Sequence, residues 1–400
     1  MRLIRSCSPL LLSLLLFAAC GGSDPEVPGS GSPSGAPTTK GSFTAVVSFG
    51  DSLSDVGAYA PATSLAGNGS APYFGGRFTT NGAVTATGTD TKIWVENIAT
   101  TMGLAITPHE VGFGASSVKC PAAAVPALAS TCTGYGMGGS RITDPNGINH
   151  SGGALTVPVV TQIANHLTRF TSFKESDLIF VFGGPNDVFA QFGIFGAKAG
   201  QANADAAAGK ITPQQANDIV FAAQVAAQAE MKKAALELTG YIKTEILAKG
   251  GKYVAVVNVP DSGDTPFGNS AQVGTAKAVL SLLATDFNTW LREGLTGQPV
   301  QIIDAYSIFK SRLSNPAQYG FSNNTTPACD AAKIAAITGN KVLDGSSLFC
   351  NSTTGAPYNG LRTGADPNTW FFADSVHPTT GGHKLISDAF YAALQSYGWL

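Results

Sequence analysis

Apolar positions along the chain follow two rhythms. Short, nearly unbroken apolar runs occupy 46–49, 177–182, 253–259 and 300–304, each bounded by Gly, Pro, Asn or Asp. Continuous runs of that length, rich in Val, Ile and Phe, predict strands buried on both faces. Between them the spacing turns helical: Trp94, Ile98 and Met102 within 91–102; Val160, Ile163, Leu167 and Phe170; Leu280, Leu283, Phe287 and Leu291 within 275–291; and a closing segment over 380–397. The clearest helix opens at Thr212-Pro213-Gln214-Gln215, with a cap residue, proline at the first helical position and glutamine at the third. It runs toward Lys249, where Gly250-Gly251 stop it, and its length predicts a bend or break near Gly240. Residues 369–373 read as a short extended approach to Asp374. Stretches 103–133 and 311–368 lack a clean period and read as long loops, and 188–200 is apolar but broken by glycine. Strands alternating with helices predict one α/β domain, with a mostly parallel sheet covered on both faces and long loop insertions.

Composition narrows the class. With 44% hydrophobic and 12% charged residues and a net charge of −2, the chain suits a compact, weakly charged protein. No Lys/Arg-rich run appears in the body, which argues against a nucleic-acid partner. At the N-terminus, Arg2 and Arg5 precede an apolar stretch, Leu10 to Phe17, that is too short to span a bilayer. Ala18-Ala19-Cys20-Gly21 then resembles the lipobox of bacterial lipoproteins, with Phe17 where Leu is usual. The expected organisation is a leader over 1–20, a flexible Gly/Ser/Pro tether over 21–42 and a folded domain over 43–400. Lipidation of Cys20 would hold the mature chain on a membrane, at the outer membrane or cell surface; ordinary cleavage would release a soluble secreted protein. Beyond the leader stand Cys120, Cys132, Cys329 and Cys350, which permit three pairings. In an oxidising compartment Cys120–Cys132 with Cys329–Cys350 is expected, each closing a small loop. The spacing lacks any C-x₂-C pair, so no metal is expected.

Chemistry-bearing residues gather where predicted strands end. The first strand runs into Gly50-Asp51-Ser52, and the second into Gly183-Gly184-Pro185-Asn186-Asp187. In an open α/β fold the carboxyl ends of the strands are where ligands bind. A helix starting just after Ser52 would aim free N–H groups at anything bonded to its oxygen. Gly-Asp-Ser is also what an ordinary turn presents, so a serine nucleophile needs a base and a group to orient that base. Among the histidines, His166 falls inside an amphipathic helix, His109 and His150 sit in loops without an acidic partner, and His383 opens a helical face. His377 differs, with Asp374 three residues before it and Pro378 fixing the backbone after it. Such a turn lets the carboxylate receive Nδ1–H while Nε2 faces outward; in the plainer reading Asp374 only caps a loop. Between 134 and 139, glycine holds four of six positions, too little side chain to build core, which points to close backbone approach.

Taken together these segments resemble the GDSL/SGNH hydrolase family, in its secreted bacterial lipase/esterase branch. FGDSLSDVG (Phe49–Gly57), GYGMGGSR (Gly134–Arg141), GGPND (Gly183–Asp187) and DSVHP (Asp374–Pro378) match the family's four blocks in order, across essentially the whole folded part. GGRFTTNG with Trp94 and Glu96, PDSGDTPFG from Pro260 and NPAQYGF from Asn315 resemble further stretches of that branch. The resemblance implies a flavodoxin-like three-layer α/β/α sandwich and a catalytic set of Ser52, His377 and Asp374. It also implies an oxyanion hole from the N–H groups of Ser52 and Gly139 and the side-chain amide of Asn186. Gly134-Tyr135-Gly136 departs from the usual Asn-Tyr/Phe-Ala, Ser140 replaces Ala or Asp, and the spacing from Gly82 to Trp94 is longer than usual. Phe189, Phe192 and Phe195 follow Asn186 closely and either line an acyl pocket or pack under the long helix. The expected activity is hydrolysis of carboxylic esters of short to medium acyl chain, by a monomer without cofactor. A lipase or phospholipase, an acyltransferase, a carbohydrate O-deacetylase and a non-catalytic surface binding lipoprotein are the alternatives.

Overall fold

The computed structural model describes residues 38–63, 75–82, 84–85, 88–89, 91–353 and 359–400. The expected leader, Cys20 and the expected tether up to residue 37 lie outside the described residues. The strands are β1 (Ala45–Gly50), β2 (Val84–Thr85), β3 (Gly88–Thr89), β4 (Glu110–Phe113), β5 (Ser116–Lys119), β6 (Asp177–Phe182), β7 (Tyr253–Val257) and β8 (Gln301–Ile303). The helices are α1 (Trp94–Thr101), α2 (Val159–Phe170), α3 (Pro185–Ala207), α4 (Pro213–Tyr241), α5 (Lys277–Gly294), α6 (Ala305–Ser314), α7 (Ala331–Ile337) and α8 (Thr380–Ser396).

Four strands form the central sheet in the order β1-β6-β7-β8, every pairing parallel. Outside β1 the chain at Thr133–Tyr135 runs alongside it: Ser48 N donates to Thr133 O at 3.0 Å and Tyr135 N to Ser48 O at 2.8 Å. Counting that segment as second along the chain gives the order 2-1-3-4-5, a doubly wound arrangement of flavodoxin type. Alternate side chains of each strand serve opposite faces. Val47, Phe49, Ile179, Val181, Val254 and Val256 pack against α2, α4 and α5, whereas Val46, Phe180, Phe182, Ala255 and Val257 pack against α1, α6 and α8. The molecule is therefore a three-layer α/β/α sandwich. β1 and β6 end in register, Gly50 opposite Phe182, which brings the Ser52 turn and the Asn186 turn to one rim of the sheet.

Several local features follow from named residues. Thr212 caps α4, taking the N–H of Gln215 at 3.2 Å while Gln215 Oε1 takes that of Thr212 at 2.8 Å. α4 leaves regular geometry just past Gly240, in a π turn over Ile242–Ile246, and ends at Gly250 with φ +95°. Stretch 188–200 is not a broken loop: α3 runs unbroken from Pro185 to Ala207. Its glycines 193, 196 and 200 face open space, so they cost helix propensity without interrupting packing. Stretch 103–133 contains the β4–β5 hairpin, and 311–368 contains the end of α6 and all of α7, capped by Asp304 and Asp330. Residues 369–373 form isolated bridges rather than a strand. Among the described residues no helix is long and apolar enough to cross a membrane.

One buried group has a measurable cost. His166 stacks on Phe173 at 4.2 Å, with Phe49, Tyr135 and Phe170 around it. Burial, helped by the His109 and Arg169 charges, lowers its pKa to about 4, against an opposing pull from the Ser172 backbone. The unfolded imidazole titrates near 6.5, so stability is full above that value and is lost as pH falls toward 4. At pH 5 the loss is about 2 kcal/mol. His166→Phe, which keeps the ring stack, is expected to raise Tm at pH 5 by a few degrees more than at pH 8. An equal change at both values would remove His166 from the acid sensitivity.

Candidate active site

β1 delivers the chain to the rim at Gly50, where a Cβ would stand 2.2 Å from Phe182 O, so only glycine lets the two strand ends close. Gln162, buried on α2, grips that peptide on both sides: Gly50 N donates to its Oε1 at 2.9 Å and its Nε2 donates to Gly50 O at 2.7 Å. Asp51 takes Leu53 N at 3.0 Å and starts a single 3₁₀ turn, Ser52–Ser54, shorter than the helix the sequence suggests. Burial pushes the Asp51 carboxyl up to about 7.

His377 reaches this turn from the other end of the chain. Its Nε2 lies 2.8 Å from Ser52 Oγ, and its Nδ1 lies 2.9 and 2.8 Å from Asp374 Oδ1 and Oδ2. A carboxylate can only accept, so Nδ1 carries the hydrogen and Nε2 is left to accept from the serine hydroxyl. Asp374 is buried, which alone would raise its pKa, but the His377 charge and hydrogen bonds from His377, Ser347 and Val376 hold it well below the usual carboxylate range. For His377 burial pulls down, and the Asp374 carboxylate, with Asp51 and Asp344 nearby, outweighs it and raises the imidazole above its usual value. Phe78 lies against the ring at 4.9 Å. It sits beside Arg77, whose two-point pair with Glu96 (2.7 and 2.5 Å) anchors that segment to α1.

The glycine block closes against the same turn. Met137 N donates to Gly50 O at 3.2 Å and Gly138 N to Asp55 Oδ2 at 2.9 Å. Asp55 also takes the N–H groups of Gly57 and Ala58, and burial raises it to about 6. Gly139 has φ +80°, and a Cβ there would meet Ile148 O at 2.3 Å. Asn186, in the first turn of α3, donates from Nδ2 to Ser140 O at 2.9 Å, which ties its amide to the block. Next to it the buried Asp187 takes Arg141 Nε and Ile142 N, each at 3.0 Å, and locks α3 to that loop. The structure thus brings Ser52, His377, Asp374, Gly139 and Asn186 to one rim.

Phe189 and Phe192 project from α3, half-buried, edge-on to Phe267 at 5.6 and 6.2 Å. Phe267 N donates to Ser375 O at 2.9 Å, which sets this aromatic group beside the His377 turn. Phe195 is buried farther along the helix. His383 takes Trp94 N at 3.4 Å and supports packing. The cysteines form two bonds, Cys120–Cys132 and Cys329–Cys350. Cavities of about 420 and 430 Å³, lined by residues such as Lys92 and Tyr319 or Val160 and Tyr241, include none of the residues gathered around Ser52. Among the described residues no group of three or more His, Cys, Asp or Glu side chains could hold a metal ion.

Sequence reasoning missed Gln162, Asp187 with Arg141, and the Ser347 amide. The Arg and Asp stood inside recognised blocks and could have been paired as the two charges there. Gln162 could have been found as a polar residue on an apolar helix face, whereas a backbone amide carries no sequence signal.

The chain is similar to known proteins. The family model described as GDSL-like Lipase/Acylhydrolase matches residues 46–390. Esterase EstA of Pseudomonas aeruginosa and that of Pseudomonas putida are each 29% identical over 150 residues, 36% of this chain and 20% of theirs. An anther-specific proline-rich protein APG of Brassica napus is 25% identical over 157 residues, 38% of this chain and 30% of that protein. The matches thus span a fifth to under a third of these relatives' own lengths. With the family model covering nearly all of the folded part, the chain belongs to the GDSL-like lipase/acylhydrolase family, a family of ester-cleaving enzymes.

Proposed function

We propose that the protein is a carboxylic ester hydrolase in which Ser52 is the nucleophile, His377 the general base and acid, and Asp374 the group that orients His377. The observation that carries this reading is the unbroken hydrogen-bonded line from Asp374 through His377 to Ser52 Oγ. Ser52 Oγ attacks the ester carbonyl as its proton passes to His377 Nε2, and Asp374 stabilises the imidazolium that forms. The negative charge arising on the carbonyl oxygen is met by the N–H groups of Ser52 and Gly139 and the second N–H of the Asn186 amide. His377 then gives its proton to the departing alcohol, leaving Ser52 acylated. Water, deprotonated by the same imidazole, attacks the acyl carbon and releases the acid. No step calls for a cofactor.

The acyl group is a short or medium chain. Phe189, Phe192 and Phe267 supply an apolar wall beside the His377 turn, and an aromatic cluster of that size suits a few methylenes, each worth about 0.8 kcal/mol of burial. With p-nitrophenyl acetate, butyrate, octanoate and palmitate, kcat/KM is expected to peak at butyrate or octanoate. Fastest turnover of palmitate would reject this preference in favour of a lipase or phospholipase. Export fits the two disulfide bonds, which persist in oxidising compartments, and membrane attachment would come through Cys20 if it is lipidated.

A further inference from the structure

Asp374 is held from two sides. Its Oδ1 takes the N–H groups of Val376 and His377 from its own turn, at 2.9 and 2.8 Å. Its Oδ2, which also meets His377 Nδ1 at 2.8 Å, takes the backbone N–H of Ser347 at 2.9 Å. Ser347 lies 27 residues earlier, in a segment whose local structure is one 3₁₀ turn, Ser347–Phe349. That segment is fixed from outside. Asn81 Nδ2 donates to Ser347 O at 3.1 Å, and Asn81 N to Cys350 O at 2.9 Å. Cys350 is bonded to Cys329, and Cys329 N donates to Ala373 O at 2.9 Å, next to Asp374 itself. Cys329, Cys350, Ile334 and Ala373 form one small buried cluster. The Cys329–Cys350 bond therefore joins the backbone that carries the carboxylate to the segment that supplies its distant donor.

We propose that Ser347 is a positioning residue for Asp374, acting through its backbone N–H, and that Cys329–Cys350 keeps this donor in register, so that the hydrolytic rate depends on that one disulfide. The inference rests on the triad reading above. With only Oδ1 anchored, the carboxylate can turn Oδ2 away from Nδ1 and leave the imidazole the single 2.9 Å contact with Oδ1; the Ser347 N–H removes that freedom. The Ser347 hydroxyl helps to lower the Asp374 pKa, but its buried Oγ makes no hydrogen bond of good geometry, so the orienting contact is the backbone N–H.

Ser347→Pro deletes the N–H and sets its Cδ where the hydrogen was, facing Asp374 Oδ2, so it displaces the carboxylate as well as unbinding it. Ser347 is the first residue of its turn, where proline is accepted, and Ser346 has φ −48° and ψ 127°, the extended setting that proline requires before it. Ser347→Ala keeps the N–H. For a p-nitrophenyl ester, S347P is expected to lower kcat about 10- to 100-fold with KM within about twofold. Its acid limb of kcat/KM should move to lower pH, because a displaced carboxylate supports the imidazolium less. S347A, which keeps the N–H and loses only the hydroxyl's share in lowering the Asp374 pKa, should lower kcat by no more than about threefold. C329A/C350A should reproduce the kcat loss and C120A/C132A should not, with Tm recorded for each so that the effect is read on folded protein. Wild-type kcat and pH profile in S347P, an equal loss in S347A, or full kcat in folded C329A/C350A would overturn the inference. S52A run alongside separates the two readings: activity remaining in S52A sinks the triad itself, whereas an inactive S52A beside a fully active S347P sinks only the role of Ser347.

Discussion

Ser52→Ala is expected to lower kcat/KM for a p-nitrophenyl ester by at least about 10³-fold, with Tm unchanged within about two degrees. The Ser52 hydroxyl meets His377 Nε2 at 2.8 Å, and the residue is 8% exposed. Removing one oxygen leaves β1, Gln162 and the Asp51 cap in place, because all of these act on backbone around it. What disappears is the atom that, in the proposed mechanism, bonds to the carbonyl carbon, and among the described residues no other hydroxyl hydrogen-bonds the imidazole. Activity above a tenth of wild type would put the nucleophile elsewhere.

Asp374→Asn should cost nearly as much, about 10³- to 10⁴-fold in kcat, with a smaller change in KM. Asparagine keeps the shape, and its single oxygen can still take the N–H groups of Val376 and His377. Its NH₂, however, would face His377 Nδ1 and Ser347 N, both of which already donate. The imidazole then resolves the conflict by placing its hydrogen on Nε2, where it points at Ser52 and leaves no base. The variant also loses the charge that holds the His377 pKa up. In wild type, kcat/KM should fall as pH drops through a value above the usual 6.5 of histidine, because the base is then protonated. In D374N the residual activity should fall at a lower pH. An acid limb at the same pH in both proteins would mean that Asp374 does not govern the imidazole.

How much of this was legible beforehand depended on where the information sits in the chain. The β1 and β6 runs are continuous because both faces are buried, and each ends in glycine because another strand or a loop closes against it. Fold class and the Ser52 and Asn186 ends were readable for that reason. Asp374 and His377 lie within one short turn, so their pairing was a local inference. α3 was obscured because its glycines interrupt the apolar stripe on a side that touches nothing. α6 was obscured because only Ala305 and Phe309 of its ten residues are buried, which leaves little periodicity to see. Gln162 and Ser347 act on backbone groups far away in the chain, and such contacts exist only after folding.

The length of α3 has a practical side. Asn186 sits in its first turn at the rim, and 23 residues at 1.5 Å each carry the helix about 34 Å outward before the chain turns at Ala208–Lys210. Gly209, at the tip of that turn, takes φ +70° with nothing within 4 Å of where a Cβ would stand, so the tip is open on that side. The molecule thus carries a built-in spacer arm. A dye, an affinity handle or a bead coupled at its far end would stand well away from the rim that carries Ser52.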